Sequence, residues 1–355
     1  MAHTCCTSRR QFLVSAAALG AGAILPSAAT DAQTMTGAGG PGLIDVHHHI
    51  LPPAYLAEAR EQVLAQVQNI LPPAVANWTP QKSLEEMDRL GISTSIVSIS
   101  SPGIWFGNQQ AGRSLARKCN EYAAELGRNH PGRFGSFASI PLPDAEGSLK
   151  EIAYALDVLK ADGICLLSSY GDKWLGDPAY AAVLDELNRR RAIVYVHPTA
   201  PNCCRDLMSY IPQPLTEFPH DTTRTITSLL YTGSFGRLTD IRFIFSHAGG
   251  TMPMLAGRIA QLGKRKDLAA KVPNGVEYEL KRLYYEIANS ANKSAMSALM
   301  NLVPTSQIMF GSDNPFVPLA TTAEGFARLG LSPAEVQAIG RDNALRLMPR
   351  FAMSG

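Results

Sequence analysis

Three successive histidines close a short apolar run, Ile44-Asp45-Val46-His47-His48-His49, just ahead of Ile50-Leu51-Pro52-Pro53. On an extended strand successive side chains alternate, so His47 and His49 share one side and His48 takes the other. Two imidazoles on one face can grip one metal ion, because imidazole nitrogen is a strong ligand for zinc and its first-row neighbours. Placement on a strand also fixes their spacing. A His-x-His pair is a weak signal by itself, and the reading requires further ligands elsewhere in the chain.

Those ligands need elements to carry them. Short β-branched runs at 43–47, 94–100, 134–139, 163–168, 193–197, 242–246, 283–288 and 307–311 read as strands. Amphipathic stretches at 84–90, 111–129, 148–161, 179–191, 222–233 and 293–302 lie between most of them. Eight strands alternating with helices predict an α/β fold, a (β/α)8 TIM barrel, with 51–81 as an insertion after the first strand. Barrel chemistry gathers at the C-terminal ends of the strands. His197 ends the fifth run, His247 follows the sixth and Asp313 follows the eighth. The other histidines lie elsewhere: His130 in a turn before Pro131-Gly132, His220 in a Pro-flanked loop, His3 near the start. For one strand-end residue a structural hydrogen bond is the plain alternative. Agreement among four strand ends points instead to a shared ion.

This order, His-x-His on the first strand, one histidine each on the fifth and sixth, and aspartate on the eighth, resembles the amidohydrolase superfamily. The resemblance spans nearly all of residues 43–355. More narrowly, residues 44–53, PGRFGSFASIPLPD at 131–144, VYVHPTAP at 194–201, FSHAGGTMP at 245–253 and FGSDNPF at 310–316 are similar to one branch of it. That branch contains aminocarboxymuconate-semialdehyde decarboxylase and the aromatic-acid decarboxylases, the methylsalicylate type in particular. Gly249-Gly250 and Pro253, close behind His247, weigh most. The motifs specify superfamily and branch, not substrate.

The resemblance implies one divalent ion held by His47, His49, His197 and Asp313 with a water. Binuclear relatives use a carbamylated lysine at the end of the fourth strand. Here that strand reads GICLLS, with Lys160 before it and Lys173 in the following loop. Zinc suits three imidazoles and a carboxylate, and manganese serves some relatives. His247 is left for chemistry, with a fifth, weak ligand as its alternative role.

The implied activity is that of a metal-dependent carboxy-lyase: non-oxidative decarboxylation of a small aromatic or enoic carboxylic acid of the salicylate type. Asp313 would take a proton from an activated water and deliver one to carbon, while His247 activates the water or polarises substrate. The same parts also suit a hydrolase of an ester, lactone or amide, with His247 at the oxyanion and Asp313 shuttling the proton. A third reading, a periplasmic binding protein without turnover, leaves His247 and Asp313 surplus. Expected substrate contacts are Arg224 for a carboxylate, Trp105, Phe106 and Phe316 for an apolar wall, and Asn289 after the seventh strand. Glu286, within that strand, is expected to orient a ligand histidine.

Ser8-Arg9-Arg10-Gln11-Phe12-Leu13, then an apolar Ala/Gly-rich run and small residues, resembles a twin-arginine export signal over residues 1–32. The run is shorter than the roughly 20 residues of a membrane span, so no stable membrane anchor is expected. Cleavage after Ala29 or Ala32 leaves a flexible leader at 33–42 and one barrel domain at 43–355, exported folded to the periplasm. A formal charge of +2 with 17% charged residues excludes a nucleic-acid partner. Cys119, Cys165 and the adjacent Cys203-Cys204 form no zinc knuckle or disulfide framework, so free thiols are expected. A homodimer is expected, since relatives commonly pair.

Overall fold

The computed structural model describes residues 42–66, 71–205, 207–208 and 210–352, so the expected export signal lies outside the described residues. All eight expected strands form: β1 (Leu43–His49), β2 (Ile92–Ser98), β3 (Phe134–Ser139), β4 (Gly163–Leu167), β5 (Ile193–His197), β6 (Arg242–Phe245), β7 (Tyr284–Glu286) and β8 (Ile308–Met309). They lie in chain order, each parallel to the next. The seam between β8 and β1 is closed by Val46 N–H donating to Phe310 O at 3.0 Å and by a parallel bridge between His48 and Asn314. The result is a (β/α)8 barrel. Buried on both faces, its strands read as nearly continuous apolar runs.

Helices surround it: α1 (Pro53–Gln66), α2 (Pro80–Arg89), α3 (Gln109–Asn129), α4 (Ala145–Ala153), α5 (Ala181–Arg189), α6 (Glu217–Tyr231) and α7 (Lys293–Leu302). Their starts are legible as caps: the side chains of Thr79, Asn108, Asp144 and Asn292 each accept a first-turn backbone N–H. The expected helix over 148–161 instead starts at Ala145 and gives way to a π-turn at Tyr154–Val158. His220 is not in a loop. It sits in the first turn of α6, where Pro219 is tolerated because early helical N–H groups lack intrahelical acceptors. The insertion contains α1 and a short helix, Pro73–Ala76. The four cysteines beyond the first six residues are all unpaired. Among the described residues no helix is long and apolar enough to cross a membrane.

Side chains fill the barrel interior in layers, as barrel packing requires, with Ile44, Val46, Ile96, Phe137, Tyr195 and Ile244 in one buried cluster. The register of β1 is irregular: Asp45 pairs with Ser95 but His48 with Val97, so three steps on β1 face two on β2. This bulge breaks strict alternation. It lets Val46 share the interior with the His47 and His49 side while His48 points outward.

His48 and Asp45 form a structural clamp. Asp45 is fully buried and accepts the backbone N–H groups of His47 and Ser312, the Ser312 hydroxyl, and His48 Nδ1. The chain continues outward: Ser83 donates to His48 Nε2, and Trp78 Nε1 donates to Ser83. Asp45 thereby ties β1 to the turn after β8. Asp45→Ala is expected to destabilise the fold by about 3 kcal/mol or more, because several buried donors lose their acceptor together. Chemical denaturation checks this, and a midpoint unchanged from wild type refutes the clamp.

Candidate active site and metal centre

The strand ends bring His47, His49, His197 and Asp313 together, with one potential ligand atom from each lying within 4.8 Å of all the others. His47 Nε2 and His49 Nε2 are 2.9 Å apart, and Asp313 Oδ1 lies 3.3 and 3.1 Å from them. The opposite nitrogens are committed. His47 Nδ1 faces Glu286 Oε1 at 2.8 Å, His49 Nδ1 faces Ser98 O at 3.2 Å, and His197 Nδ1 faces Pro198 O at 2.7 Å. Those oxygens accept and cannot donate, so each Nδ1 carries a proton and Nε2 is the nitrogen turned inward, its lone pair free for a ligand bond whenever the ring is neutral. Lone pairs and a carboxylate oxygen crowded in a buried site repel one another, and a cation at the centre converts that repulsion to attraction.

Titration behaviour agrees with a pocket that wants positive charge. Burial opposes charge on His47, yet Glu286 and Asp313 outweigh it and push its pKa up to about 10. Burial and the neighbouring His49 and His47 hold His197 well below the ordinary imidazole range, the state of a neutral ligand. Burial also works to raise Asp313, but the charge of His47 and the adjacent imidazoles hold its carboxyl well below the usual range. The donor set, three imidazoles and a carboxylate, fits one divalent ion.

Glu286 organises the rings. Besides facing His47 it accepts the backbone N–H of His247 at 2.8 Å and of Ala288 at 2.6 Å. Gly311 makes room for it, since a Cβ there would run into Glu286 Oε2 and crowd His47. His247 Nε2 stands 3.4 Å from Asp313 Oδ2, and Asn289 Nδ2 donates to the same oxygen at 2.8 Å. Among the described residues, four of the six non-glycine positions with positive φ cluster here: His247, Ala248, Asn289 and Asp313. Backbone held in that region concentrates at functional sites. Gly250, also at positive φ, permits the turn after His247, because a side chain there would strike the Pro219 carbonyl.

Beside the cluster, at the ends of β2 to β5, is a cavity of about 260 Å³ walled by Ile99, Ile104, Trp105, Ile140, Leu142 and Leu167. None of the four ligand residues lines it, and its link to them runs through chain neighbours: Ile99 follows Ser98, whose carbonyl faces His49, and Thr199 lies two residues past His197. Phe106 lines a neighbouring outer cavity with Trp105, and Phe316 sets its ring edge-on to His49 at 5.5 Å. Arg224 is elsewhere. On α6, its Nη1 is 3.9 Å from buried Asp221 and its Nη2 donates to Cys204 Sγ, and it does not line either cavity. The arginine that lines both is Arg205, in the loop after β5. That loop has no periodicity from which its direction could be read. Asp221, also missed, accepts Ser168, Ser169 and Trp174 donors and so fixes the turn after β4.

A closed parallel barrel with an imidazole and carboxylate cluster at its C-terminal rim defines a barrel enzyme built to hold a metal ion. The chain belongs to the amidohydrolase family, whose profile matches residues 44–350. It is 38% identical to the decarboxylase yanB of Aspergillus niger, covering 87% of this chain and 88% of that protein. It is 36% identical to the 6-methylsalicylic acid decarboxylase acuB of Aspergillus aculeatus, over 87% and 96% of the two chains. The fold also matches a dihydroxybenzoic acid decarboxylase of Polaromonas, crystallised with manganese and the inhibitor 2-nitroresorcinol. There the TM-score is 0.78 at 20% identity, over 88% and 98% of the chains.

Proposed function

We propose that this enzyme is a metal-dependent carboxy-lyase that removes CO2, without oxidation, from a small aromatic acid of the salicylate type. The carrying observation is the buried convergence of three imidazoles of fixed tautomer with Asp313, beside an apolar cavity sized for one ring. The decarboxylases among its relatives support the reading. His47, His49, His197 and Asp313 would hold a divalent ion, whose positive charge would stabilise the substrate's carboxylate or neighbouring hydroxyl.

The chain's own residues do the rest. Asp313, ionised at rest, takes up one proton that solvent supplies by way of His247 and passes it to the ring carbon that bears the carboxylate; the bond to CO2 then breaks, and its electron pair restores the aromatic ring. Asn289 fixes the rotation of that carboxyl, and His247, beside the same oxygen, returns the proton. Trp105 and its apolar neighbours exclude water from the ring face. Incubating metal-loaded protein with 2-hydroxybenzoate and its 6-methyl derivative is expected to release CO2 and the matching phenol in equal amounts. Hydrolysis of esters or lactones, with all such acids untouched, would transfer the site to hydrolase chemistry.

The ion is proposed to be zinc from the donor set, one per chain. Elemental analysis of purified protein decides between zinc and the manganese bound by the Polaromonas enzyme. Residues 1–32 are proposed to direct folded protein to the periplasm, which a reporter fusion with Arg9 and Arg10 replaced by lysine tests. Sizing by light scattering tests the proposed homodimer.

A further inference from the structure

The ring cavity continues into a second chamber of about 500 Å³. The two share Pro102, Trp105, Gly171, Thr199 and Arg205, which places Trp105 and Arg205 at the neck between them. Their linings differ in kind. The inner cavity is mostly apolar, with Ser139, Ser169, Thr199 and Arg205 at its edges, whereas the outer presents four carboxamides: Gln62, Gln66, Asn202 and Gln213. Gln66 Nε2 already donates to Ser101. Gln62 and Gln213 each keep a buried side-chain oxygen without a hydrogen-bond partner among the described residues. Arg205 makes one bond, Nη2 to Ala200 O at 3.4 Å, and no ion pair among the described residues. Buried polar atoms are nearly always paired, so the two unpaired amide oxygens packed behind the chamber wall, with the exposed Arg205 guanidinium at the neck, leave polar capacity there for a ligand.

We propose that the neck and the amide-lined chamber form a second substrate subsite, which recognises a short oxygen-bearing arm on the ring acid, ending in a hydroxyl or carboxyl group. The proposal rests on the decarboxylase reading only for the identity of the ring. Arg205 donates to an oxygen of the arm, and the carboxamide of Gln62 or Gln213, whose oxygen is unpaired, turns toward the chamber to accept a hydroxyl hydrogen of the arm. Trp105 covers the ring where it meets the arm. The enzyme is therefore matched to a larger and more polar acid than a bare or methylated salicylate, because a single methyl group answers neither Arg205 nor the unpaired carboxamide oxygens.

The test compares 2-hydroxybenzoate with derivatives bearing a hydroxymethyl or carboxymethyl arm at each free ring position, using metal-loaded full-length protein. At least one arm-bearing acid is expected to exceed the parent in kcat/KM by roughly tenfold, the scale of one charge-assisted hydrogen bond. Arg205→Met and Gln213→Leu should each bring that ratio close to one, and Arg205→Lys should restore part of it. Equal kcat/KM for the parent and every derivative overturns the subsite, as does a ratio unchanged in both variants. If no acid is decarboxylated, the decarboxylase reading falls and the subsite is judged by binding. Quenching of tryptophan emission, with Trp105→Phe as control, must then show affinity that depends on the arm and is lost in Arg205→Met. Binding indifferent to the arm ends the proposal.

Discussion

His47→Ala is expected to lose the metal and the activity together. The substitution removes one of three inward-facing imidazoles and leaves Glu286, buried and facing it at 2.8 Å, without its partner. The remaining ligands then offer too few donors, and a carboxylate stranded in the interior disfavours the local structure. Loss of metal-derived electrostatic stabilisation, several kcal/mol, corresponds to a fall in turnover of about a thousandfold or more. Metal content and kcat are measured on the same preparation, with circular dichroism to confirm the fold. A folded variant that retains stoichiometric metal and ordinary turnover would falsify the assigned centre.

His247→Asn is expected to separate the two properties. His247 lies outside the four-residue cluster, grouping instead with His47 and Glu286, and its imidazole approaches Asp313 from the opposite oxygen, Oδ2. Its backbone N–H to Glu286 survives any side-chain change. Metal content should therefore stay at the wild-type level while kcat drops by about 10²–10⁴, the usual scale for a positioned acid or base. Unchanged turnover removes His247 from proton transfer. Metal lost in parallel makes it a ligand instead.

Much of the site was legible because its signals are local. A run of apolar residues ending in His197, and the loops that carry His247 and Asp313 just beyond their strands, can be read from a few neighbouring positions, and the barrel rule then places all three at one rim. Trp105, Phe106 and Phe316 follow strand ends: Trp105 lines both cavities, Phe106 only the outer one, and Phe316 stands edge-on to His49. Arg224 shows where that logic stops. It lies on the connection expected to approach the substrate, yet α6 turns it toward Asp221 and Cys204, while Arg205 in the preceding loop reaches the cavities. Helix rotation and loop path are set by packing partners distant in sequence.

The amino-acid sequence by itself determined which side chains stand at the strand ends, that His47 and His49 share a side, and that eight strand-and-helix units close into a barrel. These follow from periodicity and from the length of apolar runs, which neighbouring residues settle among themselves. Only the tertiary structure decided which way the β1 bulge turns those two rings, since that depends on register against β2. Ring tautomers were decided there too: Glu286 meets His47 across 239 positions, as Ser312 meets Asp45 across 267. Proton positions in a buried site depend on which acceptor arrives from elsewhere in the chain, and strand pattern carries no record of that.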